Sequence, residues 1–375
     1  DRYDVVVIGS GFGGAVTACR LAEAGYSVLV LERGRRWDAS SFPRKPDDAW
    51  IWDQTRPELR NGWIDLRVFP TMTVVQGAGV GGGSLIYANI LVDAKPDTFD
   101  RGWPPEITYS GLEPHYRAVK EMLAACPVPG NQWPERTRLL KLAAERNGAA
   151  DRFEPLDLAV SFDEGWHYGL ADPHAPAHSR KFVNAHGKEQ GTCVHLGNCD
   201  IGCEVGARNT LDLNYLARAE ARGAEVRPLH IARAIAPVAD GYEVRFDRIE
   251  AEALVPGAVT GRIVVLAAGS LGSTELLLRC RDQFGTLPQL RTFLGRNWSS
   301  NGDFLTPAIH PFREVRPTRG PTITAAVNYL DGKRGGQRFF IEDGGFPDLA
   351  GNWLGEIAES GSAQPVGREF INTVR

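Results

Sequence analysis

The stretch that most constrains how this chain can fold lies at its start. Asp4-Val-Val-Val-Ile-Gly9 is a continuous β-branched run ended by glycine, the pattern of a strand buried on both faces in a parallel sheet. Gly9-Ser-Gly11-Phe-Gly13-Gly14 follows and matches G-x-G-x-x-G. Ala15 to Ala24 then has helical propensity, with apolar Val16, Cys19, Leu21 and Ala22. Gly25 stops the helix, and Tyr26 to Leu31 reads as a second strand ended by Glu32. Strand, glycine turn, helix, strand and acid thus occur in the order of a dinucleotide-binding unit, within about 30 residues.

Each position has a physical reason. Gly9 permits the tight turn, Gly11 lets backbone approach a pyrophosphate, and Gly14 lets helix and strand pack closely. The helix N-terminus offers unbonded N–H groups and the positive end of its dipole to phosphate. Glu32 lies 18 residues after Gly14, about where an acid meets a ribose hydroxyl. A carboxylate there disfavours a 2′-phosphate and hence NADP. NAD and FAD both satisfy this motif.

A second cluster, Val75-Gln-Gly77-Ala-Gly79-Val-Gly81-Gly82-Gly83-Ser84-Leu85, is denser in glycine than a hairpin requires. So many glycines let a backbone lie flat on a ligand and present several N–H donors together. A flexible surface loop is the plainer alternative. The apolar flanks Val74-Val75 and Leu85-Ile86 read as buried and favour the ligand.

Composition excludes several classes. A chain of 375 residues with 43% apolar and 23% charged residues is long enough for two domains and is neither fibrous nor disordered. A net charge of −4 gives no reason to expect nucleic acid or an anionic membrane as partner. No apolar run reaches about 18 residues, so no transmembrane helix is expected. Six cysteines do not make a disulfide framework, and a cytoplasmic location is the default. A chain that does not begin with Met leaves a cleaved export signal open.

Three further blocks complete a resemblance. They are Cys199-Asp-Ile-Gly-Cys203-Glu-Val-Gly206-Ala-Arg-Asn209-Thr210, extended to Leu216; Val264-Val-Leu-Ala-Ala-Gly269-Ser-Leu-Gly-Ser-Thr274; and Leu294-Gly295-Arg-Asn-Trp-Ser-Ser-Asn301-Gly-Asp303. With the two glycine clusters, they resemble the glucose–methanol–choline (GMC) oxidoreductases, within them the branch that includes bacterial sterol oxidases. The resemblance covers nearly the whole chain.

The resemblance implies FAD as cofactor and an α/β fold: a discontinuous Rossmann-like FAD-binding domain (1–110 and 192–304), with an incomplete antiparallel-sheet substrate domain from 305 to 375. Residues 111–191, with amphipathic helical patches at 113–123 and 135–146, are expected to cover the flavin. Gly9, Gly11 and Gly14 would hold the pyrophosphate, Glu32 the adenosine ribose, and main-chain groups of Val226, in a strand over 224–228, the adenine. Gly79, Gly82, Gly83 and Ser84 would lie along the isoalloxazine and ribityl portion, with Tyr87 to Asn89 beside the reactive edge. Phe12, Gly13, Arg33, Ala268 and Gly269 complete the expected flavin contacts.

The implied reaction is oxidation of a small-molecule alcohol, sterol-like or otherwise bulky and apolar, with O2 or another acceptor reoxidising the flavin. Such chemistry needs a base for the hydroxyl proton. In the family a C-terminal His with a neighbouring Asn or His supplies it, and here that pair is expected beyond Arg375. None of His115, His167, His174, His178, His186, His195, His230 and His310 has its context, although Pro311 follows His310. The simplest expectation is a longer protein, or a second polypeptide supplying the C-terminal part. Glu342, in Phe339-Phe-Ile-Glu-Asp, lies where sterol oxidases place an active-site glutamate on a substrate-domain strand. A carboxyl buried there would have a raised pKa and could act as base; a strand-end acid with no such role is the alternative. Cys193-x5-Cys199-x3-Cys203 is not the spacing of a standard zinc or iron–sulfur site, so no metal is expected. Rival functions are a same-fold flavoprotein with lyase or light-driven chemistry, an inactive flavin-binding fragment and an NAD-dependent enzyme.

Overall fold

The structure, a computed structural model, describes residues 1–45, 47–306, 308, 310 and 313–348. The chain divides into two compact units. Asp1–Leu85 joins Leu211–Ile309 in one, and Ile86–Thr210 joins the described residues from His310 onward in the other.

The first unit is built on a six-stranded sheet. The strands Glu225–Arg227, Val28–Leu31, Arg2–Ile8 and Ala253–Leu266 lie side by side in that order and run parallel. Gly241–Glu250 and His230–Val238 continue the sheet as an antiparallel meander. Val5, Val6, Val7 and Ile8 are all buried, as expected of a parallel strand covered on both faces. Val6 and Leu29 are paired neighbours in the same core as Val244, Phe246, Val259 and Leu276. No strand was expected between 230 and 262. The alternation Tyr242, Val244, Phe246 was a signal for one, with Val244 and Phe246 buried and Arg245 exposed.

The helix Phe12–Glu23 turns Gly14, Ala15, Ala18, Cys19 and Ala22 inward, the i, i+3, i+4 spacing of one apolar face. That face packs beside the helix Tyr215–Ala221. Its C-terminus closes on Gly25 at φ +85°. Gly25 N–H donates to Ala22 O and Tyr26 N–H to Leu21 O, both at 3.1 Å, a Schellman arrangement that only a left-handed residue permits cheaply.

The second unit contains a three-stranded antiparallel sheet ordered Phe340–Glu342, Ala325–Asn328, Phe153–Pro155. The two C-terminal strands fall within 305–375, where an antiparallel sheet was expected. The third was expected inside a separate covering segment, and this alters the domain boundaries. Residues 86–110 and 192–210 also join 111–191 rather than the nucleotide unit, because Ile90 pairs with Leu158, Asn89 bonds Arg208 and Asn209 bonds the Leu123 carbonyl. Of the range 305–375 expected as substrate domain, the stretch from 349 to Arg375 lies outside the described residues.

The helix Glu135–Arg146 is locked to this sheet by a buried charge. Asp343 accepts hydrogen bonds from the N–H groups of Thr324 and Ala325 and from the hydroxyls of Thr137 and Thr324. It also faces Arg136 at 3.4 Å. Burial pulls the Arg136 guanidinium below its usual range, against the opposing pull of Asp343. A charge this enclosed is tolerated because every partner is present.

Candidate functional site

Arg2–Ile8 lies between Val28–Leu31 on one side and Ala253–Leu266 on the other, so its C-terminal end is a topological switch point, where open α/β sheets bind ligands. Gly9 leaves the strand at φ +98°, and a Cβ there would sit 2.4 Å from Ala267 O. At Gly14 it would sit 1.9 Å from Gly9 O. Both glycines are therefore required by the protein's own packing. Gly11 differs: its nearest neighbours would be Gly82 Cα and Gly83 N, at 3.9 Å. It is also the N-cap of the following helix and carries no side-chain cap, leaving that helix end to a ligand. Phe12 is partly exposed, and a Cβ on Gly13 would only touch Ala267 Cβ, at 3.9 Å.

Glu32 is buried at the end of its strand. Its Oε2 accepts from Ser10 N at 3.1 Å and Ser10 Oγ at 2.6 Å, and its Oε1 from Gly34 N at 2.9 Å. A carboxylate has about four acceptor directions, so three are in use and one remains for a ribose hydroxyl. The side chain of Arg33 turns elsewhere, onto the Asp65 carboxylate at 2.7 Å and over the Trp52 ring.

The second glycine cluster folds back on the first. A Cβ on Gly82, at φ +52°, would fall 2.6 Å from Gly11 Cα, and one on Gly79 would strike the Trp37 ring at 2.4 Å. Several of these glycines are thus demanded by close backbone packing inside the protein as well as by a ligand's approach. Ser84 is fully buried, and its hydroxyl donates to Gly81 O at 2.8 Å and accepts from Leu211 N at 3.1 Å. Gly83 remains exposed.

Glu225–Arg227 is an edge strand. Arg227 O accepts from Glu32 N at 2.9 Å; strand alternation therefore aims the main-chain groups of Val226 at the open edge, where an adenine can pair with them. Ala267 N bonds Ile8 O at 2.8 Å, and Ala268 N bonds Ser273 Oγ at 3.1 Å. Gly269 turns at φ +74°, which keeps this loop beside Gly9. An uncapped helix start, a backbone open at Gly11, one free direction on a buried acid and an unpaired strand edge together fit the adenosine diphosphate half of FAD.

Tyr87, Asn89 and Glu342 belong to the other unit. Asn89 is buried at φ +67°, its Oδ1 accepting from Arg208 Nε at 2.7 Å. Arg208 also donates to Tyr87 O at 3.0 Å, its guanidinium 5.3 Å from the Tyr87 ring centroid. Burial pushes the Tyr87 hydroxyl up to about 12, with Arg208 opposing the shift. Arg208 lies within the Cys199–Leu216 block, yet nothing in its spacing announced that it braces Tyr87 and Asn89. Glu342 is partly buried and sits opposite Ala326 in the sheet. His310 is exposed. The His and Asn pair was expected beyond Arg375, outside the described residues; of the expected catalytic groups, Glu342 falls among them, as the last residue of the Phe340–Glu342 strand.

All six cysteines are free thiols. Burial pushes Cys199 up to about 11 and Cys193 well above its ordinary value. Among the described residues, no group of three His, Cys, Asp or Glu side chains is placed to hold a metal ion. Nor is any helix there long and apolar enough to cross a membrane.

A family model described as FAD dependent oxidoreductase matches residues 4–54, the strand, glycine turn, helix and acid just described. The cholesterol oxidase of Acinetobacter baumannii is 35% identical over 347 residues, 88% of this chain and 59% of that protein. The cholesterol oxidase of Mycobacterium tuberculosis is 36% identical over 338 residues, 87% of this chain and 56% of that protein. A 2-methyl-1,2-propanediol dehydrogenase of Mycolicibacterium austroafricanum is 27% identical over 301 residues, covering 74% of this chain and 51% of the enzyme. The chain thus spans between half and three-fifths of these relatives. A GMC-type oxidoreductase of M. tuberculosis matches 74% of it at 28% identity. These likenesses, together with the dinucleotide cradle, assign the chain to the GMC-type oxidoreductases, as a cholesterol oxidase-like member whose cofactor is FAD.

Proposed function

We propose that the whole protein oxidises an alcohol to a carbonyl compound, and that its substrate is sterol-like or otherwise bulky and apolar. The observation that carries this is the 35% identity to a cholesterol oxidase through 347 residues, which runs well beyond the cofactor motif into the second unit. The carbinol hydrogen leaves its carbon with the bonding electron pair, as hydride, and the hydroxyl loses a proton, so the substrate gives up two electrons. FAD, when bound, supplies the hydride acceptor at its N5.

The residues of this chain have separable tasks. Gly11 and the first turn of the Phe12–Glu23 helix bind the pyrophosphate, Glu32 accepts from the ribose, and Val226 pairs with the adenine. The backbone of Gly79 to Ser84, with Tyr87 and Asn89, lines the flavin. Residues 111–191 help enclose it. Glu342 takes the hydroxyl proton, a role that rests on the resemblance to sterol oxidases alone. The remaining catalytic groups, a His and Asn pair beyond Arg375, would come from a longer form of this chain or a second polypeptide. Dioxygen or another acceptor returns the flavin to its oxidised state, and the protein works in the cytoplasm.

The test is anaerobic titration of the FAD-loaded, full-length protein with sterols and long-chain alcohols. Loss of the oxidised-flavin absorbance with formation of one ketone or aldehyde per flavin is expected. A flavin that stays oxidised across the whole panel would overturn the proposal. Peroxide released in air separates oxidase from dehydrogenase.

A further inference from the structure

Ser10 occupies the variable position of the first G-x-G, where the motif assigns no task. Its side chain is fully buried. The hydroxyl donates to Glu32 Oε2 at 2.6 Å and accepts from the N–H of Gly81 at 3.1 Å. Gly79 O, at 3.4 Å, is a longer second direction for the single proton, and the charge on Glu32 decides the competition. The Ser10 main-chain N–H donates to the same Glu32 oxygen at 3.1 Å.

One small side chain therefore touches the acid at the adenosine end and the glycine loop, 71 residues away in sequence, that is expected beside the flavin. Glu32 has its other oxygen held by Gly34 N at 2.9 Å. With both oxygens restrained, the carboxylate can present only one acceptor direction to a ribose. Without the Ser10 hydroxyl, Oε2 keeps a single donor and the Gly81 N–H loses its partner. Such groups are costly to leave unsatisfied when buried.

The loop itself does not depend on Ser10. Val80 N donates to Arg35 O at 2.9 Å, Trp37 Nε1 to Ala78 O at 3.0 Å, and Ser84 links Gly81 O to Leu211 N. Removing one oxygen atom should leave the unit folded while loosening the joint between its two ligand-facing parts.

We infer that Ser10 is a positioning residue for FAD, orienting the Glu32 carboxylate for the ribose and tying it to the Gly79–Ser84 loop. The inference rests on the placement of FAD proposed above. Its physical consequence is that the two ends of the cofactor site are mechanically joined. A change at the adenosine end should then be felt in the environment of the flavin ring.

The experiment compares wild type, Ser10→Ala, Glu32→Gln and the double variant in the full-length protein. FAD dissociation constants and the visible spectrum of bound flavin at saturation are measured. Ser10→Ala should weaken FAD by roughly ten- to a hundredfold, the range for a lost hydrogen bond to a charged group. It should also shift the flavin absorbance bands, while the apo-protein remains folded at an unfolding midpoint lowered by the two lost buried hydrogen bonds. The double variant should be weaker than Glu32→Gln by much less than the Ser10→Ala factor, because the hydroxyl acts through that carboxylate. Multiplicative losses, or an unchanged dissociation constant and spectrum in Ser10→Ala, would overturn the inference. Failure of the wild type itself to bind FAD would instead overturn the placement of the cofactor.

Discussion

Three glycines in one motif do different physical work. At Gly14 the missing side chain is demanded by the protein, since a Cβ would lie 1.9 Å from Gly9 O. At Gly11 a methyl group would meet nothing closer than 3.9 Å, so its absence serves the ligand. Gly14→Ala should therefore destabilise the apo-protein by about 1–3 kcal/mol, the usual cost of overpacking. Gly11→Ala should leave apo stability nearly unchanged and weaken FAD. Chemical denaturation of apo-protein and FAD titration, run on both variants, check this. Equal loss of stability in the two would refute the division. Gly9 serves the protein in a third way, through a left-handed φ of +98° that a side chain tolerates poorly.

At the scale of elements, long-range ties decide which segments act together. In the second unit, His195 is fully buried, adopts φ +58° and stacks on Trp166 with ring centroids 4.1 Å apart. Gln132 gives its amide N–H groups to the carbonyls of Asp163 and Trp166, leaving its Oε1 to face His195 Nε2 at 3.2 Å. Burial, with His174 and Arg136 nearby, lowers His195 from 6.5 to about 3. The unfolded imidazole therefore takes up a proton near pH 6.5 while the folded one resists until about pH 3. The resulting stability is fully present above pH 6.5 and is lost progressively as pH falls toward 3. His174, also lowered by burial, acts in the same direction. Urea unfolding at pH 5 and pH 7 should show the wild type losing stability at the lower pH. His195→Asn should show a shallower dependence, and identical slopes would remove His195 as the cause.

At the scale of the whole molecule, the chain is two compact units, and one of them carries the dinucleotide cradle. FAD that binds only the folded form should stabilise it by about 2.7 kcal/mol at a hundredfold excess over its dissociation constant. Thermal unfolding of apo-protein with added FAD measures this. NADPH should give no comparable shift, because its 2′-phosphate would meet the buried Glu32 carboxylate. An equal shift with NADPH would contradict the assignment of Glu32.

The first strand, helix and acid were legible in the residues because their requirements are local. A β-branched run, an i, i+3, i+4 face and three glycines are encoded within consecutive positions. The helix Glu135–Arg146 was legible for the same reason. The Gly241–Glu250 strand was half legible, through its alternation. Partners far away in sequence were not. Phe153–Pro155 is three residues long and found its place only against Ala325–Asn328. Arg208 reads as one more cation until Tyr87 and Asn89 are brought to it.

The sequence by itself therefore determined the dinucleotide unit, its acid and its kinship with FAD enzymes. Short-range backbone sterics and the hydrophobic period leave little freedom there. Only the tertiary structure decided that the second glycine cluster packs on the first, that Ser10 joins it to Glu32, and that 86–210 forms a unit with the described residues after 310. Those outcomes come from contacts between segments separated by tens to hundreds of residues. Each contact is weak, and their pairing is set by the summed burial of the whole core rather than by any local pattern.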